Sequence, residues 1–300
     1  MATHAEFLEY FNTVPGFDER LPVTLHHAVY PTIDPAPHFA QRTFAGKTVL
    51  VTGAAGGIGG DTAMHYAKAG AAVALVGRAQ KALEDTRERI LNEVPDARLA
   101  IVRADVRIPQ EAEDAVRATM DAFGRLDVLV ANAGVGATSN ELIGEKDPVQ
   151  WWNTFEVNVF GVFNFVRYAI SHLKETRGYV VAVGSGMAQL RFKHLSDYSI
   201  SKFTVNRLVE FIALEYPEVK VFSLHPGTIR TGINAAQPLL PTPDTTALPA
   251  ATMLYLTTGN ADWLNGRYVS SNWDLGEMEK DWKEKILAQQ GLVNKLKIPV

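Results

Sequence analysis

The chain has 300 residues, 47% of them hydrophobic, enough to bury a sizeable core within a single enzyme-sized α/β domain. Lys and Arg total 29 against 33 Asp and Glu, a formal net charge of −4, so the basic footprint that accompanies nucleic-acid binding is absent. No cysteine occurs, which excludes disulfides and thiolate metal sites, and His26-His27 has no further ligand at metal spacing, so no metal site is expected and both His are assigned a surface or core role.

Residues 1–45 carry Pro15, Pro22, Pro31, Pro35 and Pro37 among aromatics such as Tyr30 and read as an extended N-terminal arm rather than a second domain. The first ten residues include Glu6 and Glu9 where a signal peptide needs an apolar run, and no later run approaches a membrane span. A soluble cytoplasmic protein with no membrane contact is expected. Apolar β-rich runs at 47–52, 72–77, 98–103, 126–131, 178–184, 218–224 and 267–270 predict about seven strands. Helical patterns at 57–70, 79–93, 109–124, 150–176, 198–215 and 245–258 fill the gaps between them. Such alternation predicts βαβ crossovers and a doubly wound parallel sheet, a Rossmann fold, over 46–275, followed by a tail at 276–300.

The first predicted strand runs into Thr52-Gly53-Ala54-Ala55-Gly56-Gly57-Ile58-Gly59, where a helix pattern begins. Strand, glycine turn and helix in that order form a dinucleotide site: Gly53 allows the tight turn, Gly57 lets backbone approach a pyrophosphate, and Gly59 permits close packing of helix on strand. After the second strand, Gly77 stands where NAD-specific sites carry an acidic residue, and Arg78 follows with a charge suited to a 2′-phosphate. NADP(H) is therefore the expected cofactor, with NAD(H) the alternative.

Twelve residues separate Ser185 from Tyr198, and Lys202 follows Tyr198 by four. On a helix over 198–215 that spacing sets the ammonium near the phenol, where a cation favours phenolate and moves the group toward acid/base chemistry. Ser185 is placed to hold the substrate oxygen.

In order and spacing these motifs resemble the short-chain dehydrogenase/reductase superfamily over roughly residues 45–275. The resemblance implies that the Thr52 to Gly59 loop, including Ala55 and Ile58, binds cofactor. It further implies that Asp105 and Val106 contact adenine, that Asn132-Ala133-Gly134 steadies the central strand beside the cofactor, and that Pro226, Gly227, Thr228, Ile229 and Thr231 flank the nicotinamide. Asn158 takes the place of the family's catalytic Asn, completing a tetrad with Ser185, Tyr198 and Lys202, the last two also touching cofactor. Residues 232–249 match the variable substrate loop, and Leu190, Phe192 and Ile233 join Ser185 as expected walls of an apolar substrate pocket.

The expected activity is NAD(P)-dependent interconversion of a carbonyl and an alcohol on a small molecule, with Tyr198 as general acid/base. The alternatives are a nonredox dehydratase or cyclase on the same scaffold and a noncatalytic dinucleotide-binding protein. Both terminal extensions resemble those of short-chain reductases of filamentous-fungal secondary metabolism. Long apolar helices at 150–176 and 198–215, which the related enzymes pair across a four-helix contact, predict a homodimer or homotetramer.

Overall fold

In the computed structural model, which describes residues 13–137, 139–234, 241–296 and 298, seven runs of β-branched and aliphatic residues pair into one sheet. They are β1 (Thr48–Thr52), β2 (Ala72–Gly77), β3 (Leu99–Arg103), β4 (Val128–Ala131), β5 (Tyr179–Val183), β6 (Lys220–His225) and β7 (Arg267–Ser270). Every pairing is parallel, in the order β3-β2-β1-β4-β5-β6-β7. β1, β2 and β4 are buried throughout, which explains why they read as unbroken apolar runs: a parallel strand is covered on both faces.

Alternate side chains feed two cores. Val49, Val51, Val73, Leu75, Phe222 and Leu224 face one layer, built on α2 (Gly57–Lys68), α3 (Gln80–Glu93) and α8 (Ala247–Leu256). Leu50, Ala74, Val76, Leu129, Val180 and Val221 face the other, built on α4 (Pro109–Phe123), α6 (Gly161–Thr176) and α7 (Ser196–Glu215). The crossover from β3 back to β4, which lies beside β1, reverses the direction of winding and opens a crevice at the carboxyl ends of β1 and β4.

The expected helix over 150–176 differs in one respect that matters. It begins as α5 (Pro148–Phe155), with the Asp147 side chain accepting from Gln150 N at 2.8 Å, and a π turn at Glu156–Phe160 interrupts it before α6. The extra residue of a π turn rotates α6 relative to α5, and periodicity alone did not show it.

The described part of residues 1–45 is more than an extended arm lying outside the core. It holds a 3₁₀ turn (Pro31–Ile33) and a short helix α1 (Ala36–Gln41), and buries Tyr30, Ile33 and Phe44 in the same core as α2. The Tyr30 hydroxyl donates to Trp273 O at 2.7 Å and accepts from Leu275 N at 3.2 Å, while Leu25 forms an isolated antiparallel bridge with Trp273. Met278 and Ile286, the latter on α9 (Lys283–Ala288), enter that core from the tail. Aromatic anchors in a Pro-broken segment have no core of their own, so they bury against the domain. Among the described residues no helix is long and apolar enough to cross a membrane.

Candidate active site

The loop between β1 and α2 is built from glycines with different duties. A Cβ on Gly59 would lie 2.3 Å from Gly53 O, and one on Gly53, whose φ is +68°, would lie 2.9 Å from Ala133 Cα. These two close the packing of loop, helix and neighbouring strand. Gly57 has φ +53° and open space where its Cβ would stand, at the first residue of α2, whose free N–H groups attract anions. The open cradle at a helix start fits a pyrophosphate.

A cavity of about 380 Å³ continues from this loop, lined by Gly53, Ala55, Arg78, Asp105, Val106 and Gly134 among others. Arg78 is exposed at its edge. A Cβ on Gly77 would sit 3.3 Å from Leu83 Cδ2, so any side chain there would press on a buried leucine. Arg107, which the local sequence does not single out, grips Asp105: Nη2 donates to Oδ2 at 2.7 Å and Nε to Oδ1 at 3.1 Å. That bond, more than any other influence, holds the Asp105 carboxyl below its ordinary range, with the Arg78 charge adding to it. Asn132 is a staple rather than a cavity group, its Nδ2 donating to Thr52 O at 2.9 Å and Gly53 O at 3.2 Å, while Ala133 N donates to Thr52 Oγ1 at 3.0 Å. Ala133 also lines the cavity.

The tetrad assembles across three elements. Ser185 follows β5, Tyr198 and Lys202 lie on α7, and Asn158 sits within the π turn. Lys202 is buried and its Nζ donates to Val183 O at 2.7 Å, 6.0 Å from the Tyr198 ring centroid. Burial pushes the lysine down to about 8. The Tyr198 phenol departs from the sequence expectation: burial moves it up, and its hydrogen bond with Ser185 opposes that only in part. The ammonium is bonded to a carbonyl rather than to the phenol, so desolvation dominates.

Asn158 is fully buried. Its Oδ1 accepts from Val135 N at 2.9 Å and its Nδ2 donates to Val135 O and Ser201 Oγ, both at 3.0 Å. Gly134 is wedged beside it: a Cβ there would meet Asn158 Oδ1 at 3.2 Å and Lys202 Nζ at 3.5 Å. A buried ion pair, Lys146 to Asp197 at 3.4 Å, braces the start of α7 directly before Tyr198. Nothing in the local sequence marks that pair, because its members lie 51 positions apart.

Ser185 and Tyr198 open into a second cavity of about 440 Å³, whose lining includes Leu190, Ile233, Ile58 and the expected nicotinamide segment Pro226, Gly227, Thr228, Ile229 and Thr231. Phe192 is not among the lining residues. In its place stands the N-terminal arm: Arg191 N donates to Pro15 O at 3.0 Å, and Gly16, Phe17, Leu25 and His27 line the cavity. Residues 235–240 of the expected substrate loop lie outside the described residues.

The two neighbouring histidines, read from sequence as lacking a carboxylate at metal spacing, each meet one more than 200 positions away. His26 Nε2 is 2.8 Å from Asp274 Oδ2, and His27 Nδ1 is 2.5 Å from the buried Asp244 Oδ1. Asp244 also accepts from Thr228 N and, at 3.0 Å, from Asn272 Nδ2. Among the described residues no cluster of three or more His, Asp and Glu could hold a metal ion.

Comparison with known proteins agrees with this geometry. The short chain dehydrogenase family model matches residues 47–239. The short chain dehydrogenase mpl6 of Monascus purpureus is 35% identical over 285 residues, covering 90% of this chain and 94% of that protein. The short chain dehydrogenase pigC of Monascus ruber is 30% identical over 279 residues, covering 88% and 89%. Among solved structures, a dehydrogenase/reductase from Sinorhizobium meliloti superposes with a TM-score of 0.70 at 27% identity, over 78% of this chain and 97% of the other. An alcohol dehydrogenase from Thermococcus sibiricus, complexed with 5-hydroxy-NADP, gives 0.66 at 26% identity, over 75% and 95%. With the family model spanning well over half its length and relatives matched along nearly all of it, the chain belongs to the short chain dehydrogenase family of NAD(P)-dependent oxidoreductases.

Proposed function

We propose that this protein interconverts a carbonyl and an alcohol on a small, largely apolar molecule, using NADP(H) in preference to NAD(H). The observation that carries the reading is that Ser185 and Tyr198 open together into the cavity of about 440 Å³ while Lys202 lies buried beside Gly134, which lines the smaller cavity. When bound, the nicotinamide cofactor supplies or accepts the hydride. Tyr198, kept protonated by burial, donates its proton to the carbonyl oxygen in the reductive direction. Ser185 orients that oxygen through its hydroxyl. Lys202 holds the ribose hydroxyls, and Asn158 pins the backbone at Val135, beside Gly134 and Lys202. Fixed geometry and a positioned proton donor together supply the rate gain.

Arg78 at the edge of the smaller cavity, with Gly77 before it, supports the NADP(H) preference. A homodimer or homotetramer is supported by Phe160, Phe163, Phe203, Phe211 and Leu214, all exposed on the π turn, α6 and α7. Light scattering tests that part: a particle of 32.9 kDa alone would overturn it. A place in secondary metabolism rests on the resemblance of the terminal extensions, into which the 285-residue match to the Monascus protein reaches. The enzymatic reading is tested by screening ketones, aldehydes and alcohols at the absorbance band of reduced nicotinamide, with dehydration followed separately. Tyr198→Phe should lower turnover by about 10² or more while cofactor affinity holds, and Lys202→Ala should damage both. Undiminished carbonyl reduction by Tyr198→Phe would overturn the mechanism.

A further inference from the structure

Most polar groups around the larger cavity are already bonded within the protein, Asp244 by three partners and Ser185 by Met187 N and Tyr198. Two side chains on neighbouring strands stand apart. His225 ends β6, and Tyr268 lies on β7 two residues before Ser270, which pairs with His225 in register. The alternation of strand side chains therefore sends His225 and Tyr268 to the same face of the sheet, and both line the cavity. His225 Nδ1 is buried with no hydrogen-bond partner. The Tyr268 ring meets Trp273 edge-on, with centroids 5.7 Å apart, and burial alone acts on its phenol. Leaving a buried N–H unbonded costs about 1–3 kcal/mol, so the missing partner at Nδ1 bears on which ring nitrogen carries the proton.

The chemistry of that atom is set by these groups. Burial pushes His225 down to about 4 and Tyr268 above its ordinary range, so both are neutral at physiological pH. A proton on Nδ1 would be an orphaned buried N–H, so the tautomer with the proton on Nε2 is favoured, and that nitrogen becomes a donor. The Tyr268 hydroxyl is a second donor. Neither group carries a positive charge, and of the charged residues that line the cavity Glu19 and Asp244 set two carboxylates against Arg20, so a neutral acceptor oxygen suits the pair better than an anionic substituent. Its place is set by Gly186, the residue after Ser185, where a Cβ would stand 3.2 Å from His225 Nε2. The imidazole lies against the backbone that carries the substrate-orienting hydroxyl, and the absence of a side chain at Gly186 leaves that approach open.

We propose that His225 and Tyr268 form a subsite for a second, uncharged oxygen of the substrate, which is thus an apolar carbonyl compound oxygenated within a few bonds of its reacting carbonyl. This assignment rests on the carbonyl/alcohol reading above. Phe17, Leu25, Met187, Leu190 and Trp273, which line the same space, suit the flat apolar body of such a molecule.

The test uses matched probes of equal shape: (2-methoxynaphthalen-1-yl)methanol and its 2-ethyl counterpart, titrated calorimetrically into the full chain saturated with NADPH, which leaves the alcohols no hydride acceptor. The corresponding aldehydes are then assayed for reduction with NADPH. The methoxy compound should bind the wild type about tenfold more tightly than the ethyl compound, and His225→Phe and Tyr268→Phe should each bring that ratio close to one. Thermal unfolding shows whether each variant folds, and either one alone reads the ratio. Equal affinity of the wild type for the two alcohols, or a ratio that survives in both variants, overturns the subsite. A preference for the methoxy alcohol that is lost in the variants supports the subsite, and the redox reading is decided separately by the turnover screen of ketones, aldehydes and alcohols.

Discussion

His27 and Asp244 are 217 positions apart in sequence, yet Nδ1 of the one lies 2.5 Å from Oδ1 of the other. The same carboxylate accepts from Thr228 N, and a Cβ on Gly227, whose φ is +96°, would strike its Oδ2 at 2.6 Å. Asp244 thus joins the N-terminal arm to the segment expected beside the nicotinamide, and the wall of the substrate cavity is coupled to the cofactor site through one side chain.

Asp244→Ala should therefore act at both sites. It removes the acceptor of Thr228 N and one of the two acceptors of Asn272 Nδ2, both partly buried, at about 1 kcal/mol each, which for a domain of this size lowers Tm by a few degrees. The arm loses its His27 anchor, so limited proteolysis within residues 13–30 should speed up and the KM for substrate should rise. An unchanged Tm and cleavage pattern would show that the node carries no load.

The pH dependence turns on Lys202. Its folded-state value, about 8, lies below that of an ordinary lysine, so the folded protein releases a proton that the unfolded chain still holds. Stability contributed by this group consequently rises with pH from about 8 toward the ordinary lysine range, and burial of the ammonium opposes folding below it. Activity runs the other way: kcat/KM for carbonyl reduction, which reports the free enzyme, should fall as pH climbs through about 8 and the ammonium is lost. A profile flat into the ordinary lysine range would refute the assignment.

Gly57→Ala and Gly59→Ala should separate cofactor binding from packing. Gly57 has open space at its Cβ position, so the substitution costs about 1–2 kcal/mol of left-handed backbone strain and chiefly weakens cofactor affinity by intruding on the cradle. Gly59 has Gly53 O at 2.3 Å and Asn132 Nδ2 at 2.5 Å, so its substitution should cost about 1–3 kcal/mol by overpacking and appear first in thermal unfolding. Fluorescence titration of NADPH and a melting curve for each variant decide the matter, and a reversed pattern would contradict the division of roles.

Arg78→Ala should lower kcat/KM with NADPH by about tenfold or more, the worth of one charge-assisted hydrogen bond, and leave NADH within about threefold. The comparison is made at fixed ionic strength because Arg78 is exposed. Equal losses with both cofactors would assign Arg78 to the solvated surface.

The local chain was sufficient for the sheet, the glycine cradle and the Ser185, Tyr198 and Lys202 set, because each is written over a few neighbouring residues: buried strands as unbroken apolar runs, the cradle as glycines between strand and helix, and two members of the set as i and i+4 on α7. Strand order, the π turn that sets Asn158 against Val135 and Ser201, and the direction of the shift at Tyr198 were decided by tertiary structure. A shift in acidity depends on how much water the fold removes, which no spacing encodes. The walls of the substrate cavity were decided there as well. Phe17, His27, His225, Asp244 and Tyr268 come from the arm, from β6 and β7, and from the approach to α8, and only folding brings them to one surface. Long-range contacts leave no local periodicity, so from sequence His27 lacked a partner and the arm lay outside the domain that it helps to complete.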